Sequence, residues 1–376
     1  MPVKNSLVNL NKQAIELTHT RKPGQTGIWR NAVAPEALTV FPIPDVTTLY
    51  DMFENGKLAR RIRLLIAVGL STVSMKKHAK RPYLGHRPYD PVTDTYGRYM
   101  WQTYETIAER RTNFGSGLLH LNEHVIKAKD VEKWTVGVIA NNRPEWMIVD
   151  QACVAYNLIT VPLYETLGPD TIEFVTRHAE LRVIITSSDH VPNLLSIADK
   201  LKNCKVIISM DCLSSGKKPA IGTMATEQAL KAWARDKNVL LIEFEEVETL
   251  GKENPRPHNP PKPSDLFTLS YTSGTTGDPK GAMISHKNMV VASCGAGIFW
   301  PLYHTDVMIS YLPLAHIYGR IMDWTATLYS ASIGYFRGDV LLLLEDISML
   351  KPTIFPSVPR LLNKIYSKLK AATVSA

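Results

Sequence analysis

Tyr271-Thr272-Ser273-Gly274-Thr275-Thr276-Gly277-Asp278-Pro279-Lys280-Gly281 decides how the rest of the chain is read. Four aliphatic hydroxyls, three glycines and one lysine fall within eleven residues. An apolar-rich run over 266–270 precedes the stretch and Ala282-Met283-Ile284 follows it. A strand is therefore expected to enter a loop, and the chain to return to ordered structure beyond it. Glycines permit backbone angles that align successive amide N–H groups into an anion-binding concavity. The hydroxyls of Thr272, Ser273, Thr275 and Thr276 add donors at short range, and Lys280 adds a mobile point charge. Together with Gly274 and Gly277 they read as a grip for a polyphosphate. The alternative is a plain surface loop whose hydroxyls bond only its own backbone. Asp278-Pro279 reads as turn chemistry.

Two familiar phosphate templates do not fit. The P-loop needs glycine directly before its lysine, and here Pro279 precedes Lys280 while Gly281 follows it. The dinucleotide fingerprint needs Gly-x-Gly-x-x-Gly, and no Gly-x-Gly stands before Gly274 and Gly277. The stretch does resemble the phosphate-gripping signature of the adenylate-forming superfamily. Further segments are similar to long-chain fatty-acyl-CoA synthetases: Gly137-Val138-Ile139-Ala140-Asn141-Asn142-Arg143-Pro144-Glu145-Trp146, Val161-Pro162-Leu163-Tyr164-Glu165-Thr166-Leu167-Gly168, Leu312-Pro313-Leu314-Ala315-His316 and Val358-Pro359-Arg360-Leu361. The resemblance runs from about Thr48 to the last residue.

That resemblance implies an α/β fold: the N-terminal domain of an adenylate-forming enzyme, mostly parallel sheets flanked by helices, incomplete at the C-terminus. It implies ATP-dependent activation of a long-chain fatty acid to acyl-CoA through an acyl-adenylate, with ATP, Mg²⁺ and CoA as cofactors. Lys280 and His316 are the implied catalytic residues, and His316 and Tyr318 are implied to touch the acyl substrate. An intracellular, membrane-associated protein of the endoplasmic reticulum or the peroxisome is implied as well. Composition alone favours a core role for His316, since it follows an apolar run. The sequence departs from the family at Gly319, which replaces a glutamate usual before Arg320, and Asp323 stands near another usual glutamate of the same polar network. The family's adenine motif, ribose motif, hinge and C-terminal catalytic lysine are not found. The expectation is thus the front half of a ligase; the alternative is an inactive fragment or short isoform that keeps only phosphate or partner binding.

The residues themselves set bounds. A chain of 376 residues with 45% hydrophobic and 21% charged residues is expected to bury a large core in two or more domains. A net charge of +8 suits nucleotides, CoA or an anionic membrane surface. It is spread too widely to argue for nucleic acid, and no zinc-finger or RNP signature is present. The four cysteines form no Cys-x-x-Cys, which points to reduced, mostly buried thiols. No secretory signal is read at 1–13, and the longest strongly apolar run, 64–70, is far short of the roughly 20 residues a membrane span needs.

In chain order, 1–47 reads as an N-terminal arm, 48–251 as a first α/β subdomain, 252–264 as a linker holding five prolines, and 265–376 as the phosphate loop with the start of a second subdomain. Basic clusters around 57–63 and 76–81 flank the apolar run 64–70; such a stretch suits either a membrane interface or a solvated surface helix, and 57–75 looks like surplus sequence against the family. Strands are expected over 135–140, 159–163, 183–186, 206–209 and 239–244, alternating with helices over 144–155, 169–178 and 191–201, the pattern of parallel βαβ units. Beyond the loop, Ser285 is expected to cap a helix, with strands over 307–312 and 333–336 and a helix over 358–370. Trp300, Tyr303, Trp324 and Tyr335 suit the wall of an acyl tunnel, though each singly reads as core. Asp339 is expected to end a strand.

Overall fold

In the computed structural model the described residues are 11–32, 43, 46–54, 78–90, 93–128, 133–164, 169–214, 226–272, 278–299 and 302–374. The stretch 57–75 lies outside them, as do loop residues 273–277, Trp300 and the ends of the N-terminal arm.

The arm's described part forms a short hairpin, β1 (Ala14–Glu16) with β2 (Trp29–Asn31). Helix α1 (Leu49–Glu54) follows, then strand β3 (Pro82–His86), the small hairpin β4 (Tyr89–Asp90) and β5 (Thr95–Tyr96), strand β6 (Met100–Thr103) and helix α2 (Tyr104–Leu121). The regular stretch comes next: β7 (Thr135–Ile139), α3 (Pro144–Ala155), β8 (Ile159–Pro162), α4 (Pro169–His178), β9 (Val183–Thr186), α5 (Val191–Ser196), β10 (Val206–Ser209), α6 (Thr226–Asp236), β11 (Leu240–Glu243) and α7 (Phe244–Glu253). Strands β12 (Leu266–Thr272) and β13 (Lys280–Ser285) flank the phosphate loop. The chain continues through α8 (His286–Phe299), β14 (Val307–Ser310), α9 (Ile317–Leu328), β15 (Ser332–Tyr335), α10 (Leu343–Leu350) and α11 (Pro359–Val374).

The strands assemble into two larger sheets. One has the order β11-β10-β9-β7-β8-β12-β13, parallel throughout except for the antiparallel β12–β13 pair. The other has the order β14-β15-β3-β6, with only the β3–β6 pair antiparallel. The β-branched runs behave as strands covered on both faces. Val183 and Ile185 enter one apolar cluster and Ile184 the other, and Val206 and Ile208 are likewise split from Ile207. This is the mostly parallel α/β architecture expected from the sequence.

Some local expectations need correction. The helix expected over 191–201 stops at Ser196, and a separate 3₁₀ turn spans Ala198–Lys200. Ser196 Oγ donates to the Asn193 carbonyl at 2.7 Å, a local bond that competes with helix continuation. The strands expected to reach 312 and 336 stop at Ser310 and Tyr335. Asp339 lies beyond the strand end, and its Oδ1 accepts from Leu341 N at 2.7 Å to form a turn. Ser285 does sit ahead of α8: Asn288 N donates to its Oγ at 3.2 Å, and its own N–H donates to Asn288 Oδ1 at 3.1 Å.

The proline-rich segment after α7 is tied down along its length. Asn259 N donates to Ala155 O at 2.9 Å, Arg256 N to Ser116 Oγ at 3.1 Å, and Tyr156 Oη to Arg256 O at 3.1 Å. The two ring nitrogens of His258 lie 3.0 Å from Tyr50 Oη and 3.0 Å from Thr112 Oγ1.

Candidate functional site

The phosphate stretch joins two antiparallel strands. Tyr271 pairs with Gly281 and Thr272 with Lys280, so both arms of the loop end at the same level. Thr272 and Lys280 are exposed at the mouth of the hairpin, and no described side chain forms an ion pair with Lys280. Tyr271 anchors the stem. Its ring lies across Gly281, where a β-carbon would come within 3.1 Å of it, and its hydroxyl is 2.6 Å from His178 Nδ1 at the end of α4. Burial raises the Tyr271 pKa above the ordinary phenol range. Ser273, Gly274, Thr275, Thr276 and Gly277 lie outside the described residues.

His316 is not a core residue, which corrects the reading from composition. The backbone turns at Pro313, whose carbonyl accepts from His316 N at 2.9 Å, and this brings the histidine out to an exposed position as N-cap of α9. Its Nδ1 accepts from Tyr318 N at 3.2 Å. A neutral imidazole that accepts at Nδ1 carries its proton at Nε2, so His316 offers an outward N–H donor. Tyr318 is also exposed, within the first turn of the helix. Of the aromatics considered for a tunnel wall, Trp324 and Tyr335 are fully buried and Tyr303 is exposed.

Strand register relates the two candidate loops. Thr268 is level with Thr160, and Thr160 with Val136, so Thr272 is level with Ala140. Two strand spacings separate β12 from β7, about 10 Å. Just beyond Ala140, Asn142 bonds to Ser310 and Leu312, at the carboxyl end of β14. The loop after β12 and the turn after β14 therefore open on one rim, formed by carboxyl ends of strands, where ligands of open α/β sheets bind.

Behind this rim α9 carries two buried carboxylate networks. Arg320 pairs with Asp150 and donates to Thr268 Oγ1 at 2.8 Å and Thr160 Oγ1 at 2.7 Å, its guanidinium lying over Phe267. Trp324 Nε1 donates to Asp150 Oδ2 at 2.9 Å. One turn along, Asp323 Oδ2 accepts from Ser310 Oγ at 3.1 Å and Tyr335 Oη at 3.3 Å. Burial pushes the Asp323 pKa up to about 7. Sequence reasoning gave no role to Asn142, Asp150 or His178. The only signal was a polar residue ending an apolar strand run or standing inside an apolar helix. Among the described residues no group of three or more His, Cys, Asp or Glu could hold a metal ion.

The same fold recurs in solved structures. The A domain of carboxylic acid reductase from Segniliparus rugosus, in complex with AMP and a co-purified carboxylic acid, matches with a TM-score of 0.66 at 24% identity, over 80% of this chain and 50% of that one. The adenylation domain of a carboxylate reductase from Mycobacterium chelonae matches with a TM-score of 0.68 at 16% identity, over 86% and 51%. In sequence, the chain is 38% identical to a peroxisomal acyl-CoA ligase (acyl-CoA ligase 891) of Penicillium brevicompactum, covering 96% of this chain and 48% of that protein. It is 34% identical to the peroxisomal long chain acyl-CoA synthetase 7 of Arabidopsis thaliana, over 94% and 45%, and 33% identical to human long-chain-fatty-acid–CoA ligase 1, over 96% and 46%. The chain thus spans about half the length of the curated relatives it matches. Since the AMP-binding enzyme family matches residues 75–375, on a fold that recurs in adenylation domains, the chain belongs to that family.

Proposed function

We propose that this sequence serves the AMP-forming activation of long-chain fatty acids to acyl-CoA. The observation that carries the reading is the hairpin at the rim, which presents Thr272 and Lys280 side by side at the base of a glycine- and hydroxyl-rich turn. In the first half-reaction a carboxylate oxygen attacks the α-phosphorus of ATP, the bond to the bridging oxygen breaks and pyrophosphate leaves. In the second, the sulfur of CoA attacks the acyl carbon and AMP leaves with the electron pair. The loop amides, the hydroxyls of Thr272, Ser273, Thr275 and Thr276 and the Lys280 ammonium offset charge on the triphosphate as the first bond forms. His316 donates from Nε2 toward the carboxylate or the phosphate it attacks, and Tyr318 borders the acyl chain. Mg²⁺ would enter with the nucleotide phosphates.

Long-chain acids are the favoured substrates because the relatives named for an acyl length are long-chain ligases. Two relatives carry "peroxisomal" in their names, which favours that compartment, with peripheral attachment to its membrane. No described helix is long and apolar enough to cross a membrane. The test is pyrophosphate release from ATP on addition of palmitate. Palmitate-dependent release from these 376 residues supports the reading. Nucleotide binding without release supports a binding-only role for this length of chain, and neither binding nor release removes the proposed function.

A further inference from the structure

The turn that carries His316 is held by a side chain from the opposite sheet. Asn142, 5% exposed, donates from Nδ2 to Leu312 O at 2.8 Å and to Ser310 Oγ at 3.0 Å, and its Oδ1 accepts from Leu314 N at 2.9 Å. A carboxamide offers a donor and an acceptor side by side, so here it takes the place of a neighbouring strand along 312–314. Ser310 passes the connection on by donating to Asp323, which Tyr335 braces from the second sheet. On its other side the turn packs onto Gly319. A β-carbon there would lie 2.6 Å from Leu312 O and 2.9 Å from Pro313 O. The backbone is gripped from both sides, and His316 is the residue where it emerges.

We propose that Asn142 is a positioning residue for carboxylate activation: its carboxamide, backed by Ser310 and Asp323, fixes the turn 311–316 against the rim and so fixes where His316 presents Nε2. The proposal rests on the reading of His316 given above. No other side chain fills the place as well. Aspartate would keep the bond from Leu314 N, but it would lose both donors and set a carboxylate oxygen against the Leu312 carbonyl. Leucine would leave a buried N–H and a buried C=O without partners, each costing about 1–3 kcal/mol.

The test uses the full chain in palmitate-dependent ATP–pyrophosphate exchange, with thermal midpoints measured alongside. Asn142→Asp is expected to lower kcat by roughly 10- to 100-fold, the scale of a displacement of about 1 Å in a positioned group. The KM for ATP should stay within about twofold, because the clamp's hydrogen bonds to Ser310, Leu312 and Leu314 do not reach β12 or β13. Ser310→Ala, a smaller change that leaves both backbone bonds of Asn142 in place, should lower kcat severalfold in the same sense and keeps the test decisive if Asn142→Asp does not fold. Ser116→Ala removes buried hydrogen bonds to Tyr156 and Arg256 away from the turn and controls for general loosening; its kcat should not change. The clamp is overturned if kcat is unchanged in a folded Asn142 or Ser310 variant, if kcat and the ATP KM change in proportion, or if Ser116→Ala lowers kcat equally. His316→Ala separates the two levels. Loss of exchange there with none in Asn142→Asp removes the clamp alone, whereas full exchange in His316→Ala removes the functional reading and the clamp with it.

Discussion

Lys280 opens β13 directly across from Thr272 and is exposed at the mouth of the hairpin. On the proposed reading alanine removes one cation from beside the triphosphate, and Lys280→Ala is expected to slow adenylation by about 10²–10³ while leaving the fold intact. Pre-steady-state formation of acyl-adenylate measures this, and a wild-type rate would end the assigned role. Asp323 makes a different prediction. Burial raises its folded pKa to about 7 from the ordinary 3.8, so it contributes stability that is fully present below pH 4 and is lost as pH rises through 7. Asp323→Asn cannot ionise. Relative to wild type it should gain by up to ~4 kcal/mol between pH 4 and pH 8, read from urea midpoints at each pH. His286 has the opposite slope. It is buried, neither ring nitrogen has a hydrogen-bond partner among the described residues, and its pKa is pushed down to about 4, so its term is lost as pH falls from 6.5. The difference between Asp323→Asn and wild type removes that shared contribution.

Helix α9 follows a strand of the second sheet yet is bonded most strongly to the first. Arg320 and Asp150 are both about 1% exposed, and together with Thr160, Thr268 and Trp324 they form a closed set of donors and acceptors. Breaking one partner leaves an uncompensated charge in the core, so Arg320→Met should cost about 3–5 kcal/mol, and adding Asp150→Asn should restore much of it. Denaturant unfolding of the single and double variants checks both. None of this was legible beforehand, because partners 170 residues apart in sequence leave no local pattern. The strands were legible, since Val183 to Thr186 and Val206 to Ser209 are β-branched runs apolar on both faces. The close crossing of α2 and α7 was not legible either: a β-carbon on Gly117 would lie 2.2 Å from Val247 O, and one on Gly251 would lie 1.7 Å from Asn113 O. The two glycines let α2 and α7 cross at close range, a tertiary demand that no helical period reveals.

At the scale of the molecule, the strand entering the phosphate stretch was legible as an apolar run that stops at hydroxyls and glycines; that the chain returns as its antiparallel partner was not. The position of His316 was not, since an apolar run followed by histidine gives no hint that Pro313 turns the chain outward. The rim itself depends on the register of β7, β8 and β12 and on one asparagine spanning two sheets, features set only once the whole domain has assembled. The proline-rich segment ahead of β12 adds a constraint on motion. It is fastened to the first three helices through Tyr50, Thr112, Ala155 and Tyr156. Strand β12 thus starts from a fixed mount, so on the proposed reading its N-terminal end keeps its place against the first three helices whether or not a nucleotide is bound.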